Sequence, residues 1–137
     1  MNWTRGLLAT LAAGIVGNVL DAVVHGWYFQ QNFYDKNPTL FRADMPLPWL
    51  IVGDFVAALV LVWVFDRVMS SFAAGAGGGA KFGFYAGVLV WFPSAIYMNM
   101  MFNGFSYQLA WMWIIYGVIW YVIVGAVVGA TYKKSAA

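Results

Sequence analysis

Residues 3–29 read WTRGLLATLAAGIVGNVLDAVVHGWYF, and this stretch decides the fold class. Nearly all of it is aliphatic, aromatic or glycine, and its only ionisable groups besides tyrosine are Arg5, Asp21 and His25. A helix rises about 1.5 Å per residue, so roughly 20 apolar residues are needed to cross a hydrocarbon core of about 30 Å. The stretch therefore predicts a transmembrane helix.

Three further apolar runs follow along the chain. They cover about residues 47–65, 82–102 and 109–132. Each of them is also long enough to cross a bilayer as a helix. We therefore expect one domain over residues 1–137, an all-α integral membrane protein built as an antiparallel four-helix transmembrane bundle.

The composition supports this class and excludes others. Hydrophobic residues make up 64% of the chain and charged residues only 9%, whereas soluble domains carry about 25% charged residues. The net charge of +2 is too small for the clustered Lys and Arg of a nucleic-acid-binding surface. Cysteine is absent, which excludes disulfides and thiolate metal sites. The expected partner is membrane lipid, and no nucleic acid.

The connections between the runs differ in character. Residues 30–46 are polar. Residues 66–81 contain Gly75, Gly77, Gly78 and Gly79, a composition typical of a flexible linker. Residues 103–108 are so few that they predict a tight turn between antiparallel neighbours.

The Lys and Arg residues of the connections predict the orientation. The side with the termini and the glycine-rich connection carries five of them: Arg5, Arg67, Lys81, Lys133 and Lys134. The opposite side carries Lys36 and Arg42. Because cytoplasmic connections hold the excess of positive residues, we expect both termini in the cytoplasm.

Aromatic residues gather where interfacial belts are expected. The outer belt would comprise Trp27, Tyr28, Trp49, Tyr107, Trp111 and Trp113, and the inner one Trp3, Trp63 and Tyr132.

Small residues recur on the spans, which suits close helix packing in lipid. Gly117, Gly125 and Gly129 form one stripe on the fourth span, and Gly83 and Gly87 lie on the third. Such stripes serve packing within one chain, or association into a homo-oligomer or larger membrane complex. Both alternatives remain open at this point.

Three ionisable side chains interrupt the spans at one depth. Asp21 and His25 are four residues apart and share a helix face, and Asn18 continues that face. Asp54 lies about two turns into the second span, which returns from the same side. Because such groups are costly in lipid and usually face the bundle interior, we expect one polar site in the outer leaflet.

Residues from the other two spans are candidates to complete this site. Tyr97, Asn99 and Asn103 end the third span at the same level. Trp91 and Trp120 fall near mid-membrane, where an indole N–H needs a partner.

Two non-catalytic interpretations of this layer compete. In the first it is a structural clasp, in which Asp21 holds His25 and Asp54 bonds to Asn99 or Tyr97. In the second it orients the head of an apolar or amphipathic small molecule, such as a lipid, quinone, carotenoid or similar pigment. The sequence itself identifies no cofactor.

Two interpretations involve chemistry. His25 with Asp21 and Asp54 supplies one nitrogen and two carboxylates, a set that iron or zinc can use, and this would make a small metal- or cofactor-dependent membrane enzyme. A proton relay would need polar groups across the whole membrane, and the inner half has few. No nucleophile or phosphate-loop motif surrounds these residues, so a non-catalytic role is favoured.

The layout is similar to that of several families of small four-span bacterial membrane proteins. This resemblance implies a bacterial inner-membrane location. It transfers no functional residue, because no motif of the chain assigns it to one of these families.

Overall fold

The computed structural model describes residues 2–40 and 46–132. Arg42, Lys133 and Lys134, which contribute to the predicted orientation, lie outside the described residues.

The described chain is dominated by four long apolar helices. Their bounds are Trp3–Val23 (α1), Leu47–Val68 (α2), Ala76–Met101 (α3) and Tyr107–Thr131 (α4). A π-helix, Val24–Tyr34, continues α1, and a short 3-10 helix, Met69–Ser71, continues α2. Four helices are long and apolar enough to cross a membrane, which is consistent with a small multi-pass membrane protein.

The helices pack in the spatial order α2, α1, α4, α3. Contacts between α1 and α4 pair rising with falling residue numbers: Gly17 meets Trp120, and Asp21 meets Tyr116. α2 reaches α3 through Phe65 and Phe82, whose ring centroids are 5.2 Å apart. The two central helices, α1 and α4, therefore separate Asp54 on α2 from the end of α3.

Four glycines bring α3 and α4 into backbone contact, and we call Gly79, Gly83, Gly125 and Gly129 the glycine seam. All four are buried. A Cβ added to Gly79 would lie 2.7 Å from the Cα of Gly129, and one on Gly125 would lie 2.9 Å from the Cα of Gly83. Glycine stripes thus serve packing within the chain, and α3 covers the α4 stripe that a second copy would have needed.

The glycine-rich connection is much shorter than the linker expected over residues 66–81. Helix α2 runs on to Val68 and α3 begins at Ala76, so that irregular backbone covers only residues 72–75. The reason is tertiary packing: Gly79 must lie in a helix to meet α4 in the glycine seam. Packing here overrides the weak helix propensity of glycine.

The turn between α3 and α4 is as tight as expected. Gly104 has a φ of +90°, a conformation that glycine adopts without strain. The Ser106 side chain accepts a hydrogen bond from the backbone N–H of Leu109 at 3.1 Å and caps α4. This turn fixes α3 and α4 as antiparallel neighbours.

A polar clasp, formed by Asn2, Asp66 and Tyr132, closes the end of the molecule at which α1 starts. The Tyr132 hydroxyl donates to the Asp66 carboxylate and accepts from the Asn2 backbone N–H at 3.2 Å. Tyr132 is only 1% exposed, so its assignment to an interfacial belt was wrong. Burial and the hydrogen bond to Asp66 raise the pKa of Tyr132 above its ordinary value.

Candidate functional site

A cavity of about 590 Å³ lies between α1 with its π-helix and the first half of α2. Its apolar wall includes Ala22, Leu47, Leu50 and Ile51. Its polar lining consists of Asn18, Asp21, His25, Gln30, Tyr34, Asp54 and Trp113. A volume of this size, with a mostly apolar wall and a few convergent polar groups, is typical of a small-molecule site.

Four of the residues expected to bind a ligand line this cavity together: Asn18, Asp21, His25 and Asp54. The first three follow one another on successive turns of α1, and Asp54 approaches from α2. The predicted meeting of these side chains is therefore present in the structure.

Asp21 lies at the centre of this group. One of its carboxylate oxygens accepts a hydrogen bond from the Tyr116 hydroxyl on α4. Its carboxyl group is also in hydrogen-bonding contact with that of Asp54. Two ionised carboxylates in contact repel each other, so this arrangement needs a proton or a cation between them.

Asn18 ties the two walls of the cavity together. Its Nδ2 donates to the Gly14 carbonyl at 2.9 Å and to the Ile51 carbonyl of α2 at 3.3 Å. Both bonds use the amide nitrogen, which leaves the side-chain oxygen as its remaining polar atom.

The π-helix places Tyr34 beside His25. Their Nδ1 and hydroxyl oxygen are 2.6 Å apart although the residues are nine positions apart in sequence. Nine residues make about two and a half turns of an α-helix, which would put them on opposite faces. In the wider π-helix, where N–H bonds reach back five residues, as from Asp35 to the Gln30 carbonyl at 2.9 Å, the two side chains return to one face.

Aromatic rings surround His25. The ring centroids of Phe29, Tyr116 and Trp113 lie 5.0, 5.1 and 5.3 Å from that of His25. Trp113 also donates its indole N–H to the Tyr34 hydroxyl at 3.1 Å. Trp113, which was expected in the outer aromatic belt, therefore faces the site.

Five of the expected ligand-binding residues lie elsewhere. Tyr97 is 62% exposed and Asn103 is exposed at the α3–α4 turn. Asn99 donates to the Phe105 carbonyl at 2.7 Å. The expected bond from Asp54 to Asn99 or Tyr97 is not formed, because α1 and α4 lie between Asp54 and the end of α3.

The two mid-span tryptophans serve helix packing. Trp120 packs on Gly17 and donates its indole N–H to the Gly17 carbonyl at 3.3 Å. Trp91 packs against Gly117 and Trp113. Its indole nitrogen is buried and has no hydrogen-bond partner among the described residues.

The expected metal set is not assembled. Within residues 2–40 and 46–132, no group of three His, Cys, Asp or Glu side chains is arranged to hold a metal ion. Asp21 and Asp54 contact each other, whereas His25 is bonded to Tyr34 on its Nδ1 side and enclosed by aromatic rings. These contacts do not arrange His25, Asp21 and Asp54 as one set of metal ligands.

Sequence reasoning missed four residues of the site: Gln30, Tyr34, Trp113 and Tyr116. Tyr116 lies seven residues after Leu109 and shares its face of α4, and both are buried, so a search for polar groups on the inward face of α4 would have found it. Tyr34 gave no such signal, because α-helical spacing points it away from His25.

Comparisons with known proteins gave no match. No protein-family model matches the chain, no curated protein matches it, and no solved structure matches it.

Proposed function

We propose that the chain is an integral membrane protein, an antiparallel four-helix transmembrane bundle, that acts as a non-catalytic ligand-binding or accessory subunit. Its cavity lies in the outer leaflet and holds one lipid-like, quinone-like or pigment-like molecule. The observation that carries this proposal is the cavity between α1 and α2, which combines an apolar wall with Asn18, Asp21, His25 and Asp54.

The outward faces of the helices support membrane integration. Large apolar side chains are exposed along all four helices, for example Leu8 (62%), Val60 (52%), Leu89 (76%) and Ile115 (53%). In water such a surface would drive aggregation. In a bilayer it faces acyl chains of the same polarity.

The charges at the helix ends support an orientation with both termini in the cytoplasm. Arg5, Arg67 and Lys81 lie at the end where α1 and α3 start and α2 finishes, whereas Lys36 lies at the other. The positive-inside rule assigns the first end to the cytoplasm. A bacterial inner membrane fits this arrangement.

The cavity's position supports access from the lipid. Leu47, Leu50 and Ile51 on its α2 side are 63%, 50% and 43% exposed, so the cavity borders the surface that acyl chains would cover. Asp54 lies seven residues, or about 10 Å, from the start of α2. An amphipathic molecule would place its head at Asp21 and Asp54 and its tail along these apolar side chains.

The lining offers few groups for covalent catalysis. None of the described residues around the cavity is a serine, threonine, cysteine or lysine, so a covalent intermediate would need a carboxylate, histidine or tyrosine as nucleophile. His25 has its Nδ1 committed to Tyr34. Binding, rather than turnover, is what this set of side chains supports.

Mass spectrometry of the intact protein, gently extracted from its native membrane, tests the proposal together with an absorption spectrum. We expect one small molecule retained per chain. Gly26→Leu should abolish its retention, because Gly26 lines the cavity and a Cβ there meets nothing within 4 Å. The larger side chain therefore fills the cavity without a clash.

Gly53→Leu is the matched control. Gly53 is also helical and faces open space, but it does not line the cavity, so this variant should retain the molecule. A wild-type protein with nothing bound, or equal retention by Gly26→Leu, would contradict the proposal.

Single cysteines test the orientation separately, since the chain has none of its own. A membrane-impermeant maleimide added to intact cells should label Lys36→Cys and leave Ser71→Cys unlabelled. The reverse pattern would refute the proposed topology and leave the cavity proposal unaffected.

A further inference from the structure

Three polar side chains of the cavity lining use N–H donors on partners within the protein. Asn18 spends its amide N–H groups on the Gly14 and Ile51 carbonyls. Gln30 donates its Nε2 to Asp35 at 2.7 Å. Trp113 donates to Tyr34 at 3.1 Å. The carboxyl groups of Asp21 and Asp54 add further acceptors.

The described part of the lining carries acidic groups and no basic side chain of Lys or Arg. Asp21 and Asp54 contact each other across the α1–α2 interface, and Tyr116 satisfies only one oxygen of Asp21. A positively charged donor between the carboxyl groups would remove their repulsion. An anionic head would meet two like charges.

Aromatic groups stand beside the same carboxyls. Trp113, Tyr34 and His25 line the cavity, and the ring centroids of His25 and Trp113 are 5.3 Å apart. Aromatic faces attract ammonium groups when water is excluded. Carboxylates with aromatic rings beside them therefore favour a cationic nitrogen.

We propose that the molecule held in this cavity is an amphipathic amine, with a primary ammonium group between Asp21 and Asp54 and an apolar tail along Leu47, Leu50 and Ile51. This inference rests on the proposed function and specifies its ligand class. The ammonium group supplies three N–H donors to the acceptors of Asp21, Asp54 and Asn18. The tail occupies the wall that borders the lipid.

A head-group series tests the ligand class. Dodecylamine, 1-dodecanol and dodecanoate share one tail, and each is titrated into the wild-type protein in phosphatidylcholine nanodiscs, with complexes counted by native mass spectrometry. We expect dodecylamine to bind at least about tenfold more tightly than the other two, since charge-assisted hydrogen bonds are about twice as strong as neutral ones.

Two variants separate the site from general attraction of amines to a membrane. Asp54→Asn should remove the preference for dodecylamine. Asp66→Asn removes a carboxylate from the opposite end of α2, keeps an acceptor for Tyr132, and should leave the preference intact. If Asp54→Asn fails to fold, the relative affinities of the wild-type protein for dodecylamine, 1-dodecanol and dodecanoate still test the ligand class.

The outcomes distinguish the two proposals. If dodecanol or dodecanoate binds as tightly as dodecylamine, and Gly26→Leu blocks that binding, the amine class is wrong and the proposed binding function stands. An amine preference that survives Asp54→Asn also overturns the inference. If no probe binds and the native protein retains no molecule, both proposals fail.

Discussion

The α3–α4 interface and the part of the α1–α2 interface next to the π-helix pack two apolar helices in opposite ways. In the first, the glycine seam lets backbones touch, so that a single added Cβ has no room. In the second, polar and apolar side chains line a cavity of about 590 Å³ between the helices.

Polar side chains are tolerated at the cavity because another interface stabilises the bundle. Helices in lipid gain association energy from close packing and polar contacts. The glycine seam supplies the close packing and fixes the scaffold. The packing of α1 against α2 near the π-helix can therefore be looser, with Asp21 and Asp54 lining a cavity.

The two ends of the molecule show the same division. In the clasp of Asn2, Asp66 and Tyr132, the Asp66 carboxylate accepts a hydrogen bond from the hydroxyl of Tyr132, a residue that is 1% exposed. At the other end, Tyr116 satisfies one oxygen of Asp21, while Asp54 lines the cavity. The first carboxylate lies in a closed clasp, whereas the second pair borders a cavity, as the proposed ligand site requires.

The largest effect is expected from Gly79→Ala in the glycine seam. The new Cβ would lie 2.7 Å from the Cα of Gly129, and a backbone atom cannot rotate away as a side chain can. We therefore expect the free energy of unfolding to fall by at least about 3 kcal/mol, the upper range for overpacking. Gly77→Ala, two residues earlier on α3, meets nothing within 4 Å. The stability of this control, measured by unfolding in detergent, should be unchanged or slightly higher than that of the wild type. Equal stabilities of the two variants would contradict the tight packing of the glycine seam.

Tyr116→Phe is expected to have the next largest effect. It removes the hydroxyl that donates to Asp21 and should cost about 1–3 kcal/mol, the penalty for leaving a buried acceptor unsatisfied. Tyr107→Phe, at a tyrosine that is 70% exposed, serves as the control and should be neutral. The measurement is the unfolding midpoint in sodium dodecyl sulfate. An unchanged midpoint for Tyr116→Phe would mean that the hydrogen bond from α4 to Asp21 does not stabilise the fold.

Tyr132→Phe should lower the free energy of unfolding by about 1 kcal/mol at neutral pH, the net value of one hydrogen bond. Its pH dependence has a definite sign, because burial and the Asp66 bond raise the pKa of Tyr132 above 10.0. The folded state thus favours the neutral phenol, whose contribution is complete below pH 10 and is lost as pH rises through the higher folded value. The difference in stability between wild type and variant should therefore shrink above pH 10; a constant difference up to pH 12 would contradict the clasp.

Gly26→Leu should change stability least. The new side chain enters the cavity without meeting an atom within 4 Å of its Cβ, and its higher helix propensity is worth about 1 kcal/mol at most. We expect a stability equal to or slightly above that of the ligand-free wild type, measured by thermal unfolding beside Gly53→Leu. A large loss would show that this region is packed as tightly as the glycine seam.

Much of the fold was predictable from the sequence because lipid imposes a simple length rule on apolar helices. The four helices coincide with the apolar runs, and only the positions of their ends differ from those expected. Gly77, Gly78 and Gly79 read as a flexible linker, whereas packing on α4 draws them into α3.

The candidate site was predictable only where α-helical spacing applies. Asn18, Asp21 and His25 share one face of α1, and Asp54 meets them at the depth that residue counting gives. Asn99 and Tyr97 were assigned by depth alone, without knowledge that α1 and α4 lie between Asp54 and the end of α3. Tyr34 depends on π winding, for which the sequence carries no local signal.

The most direct test of the cavity's function is a crystal structure of the natively extracted protein grown in a lipidic mesophase. We expect elongated non-protein density with its polar head within hydrogen-bonding distance of Asp21 and Asp54 and its tail along Leu50 and Ile51. A cavity that holds only water, or an α2 packed directly onto α1 at Ala22, would contradict it.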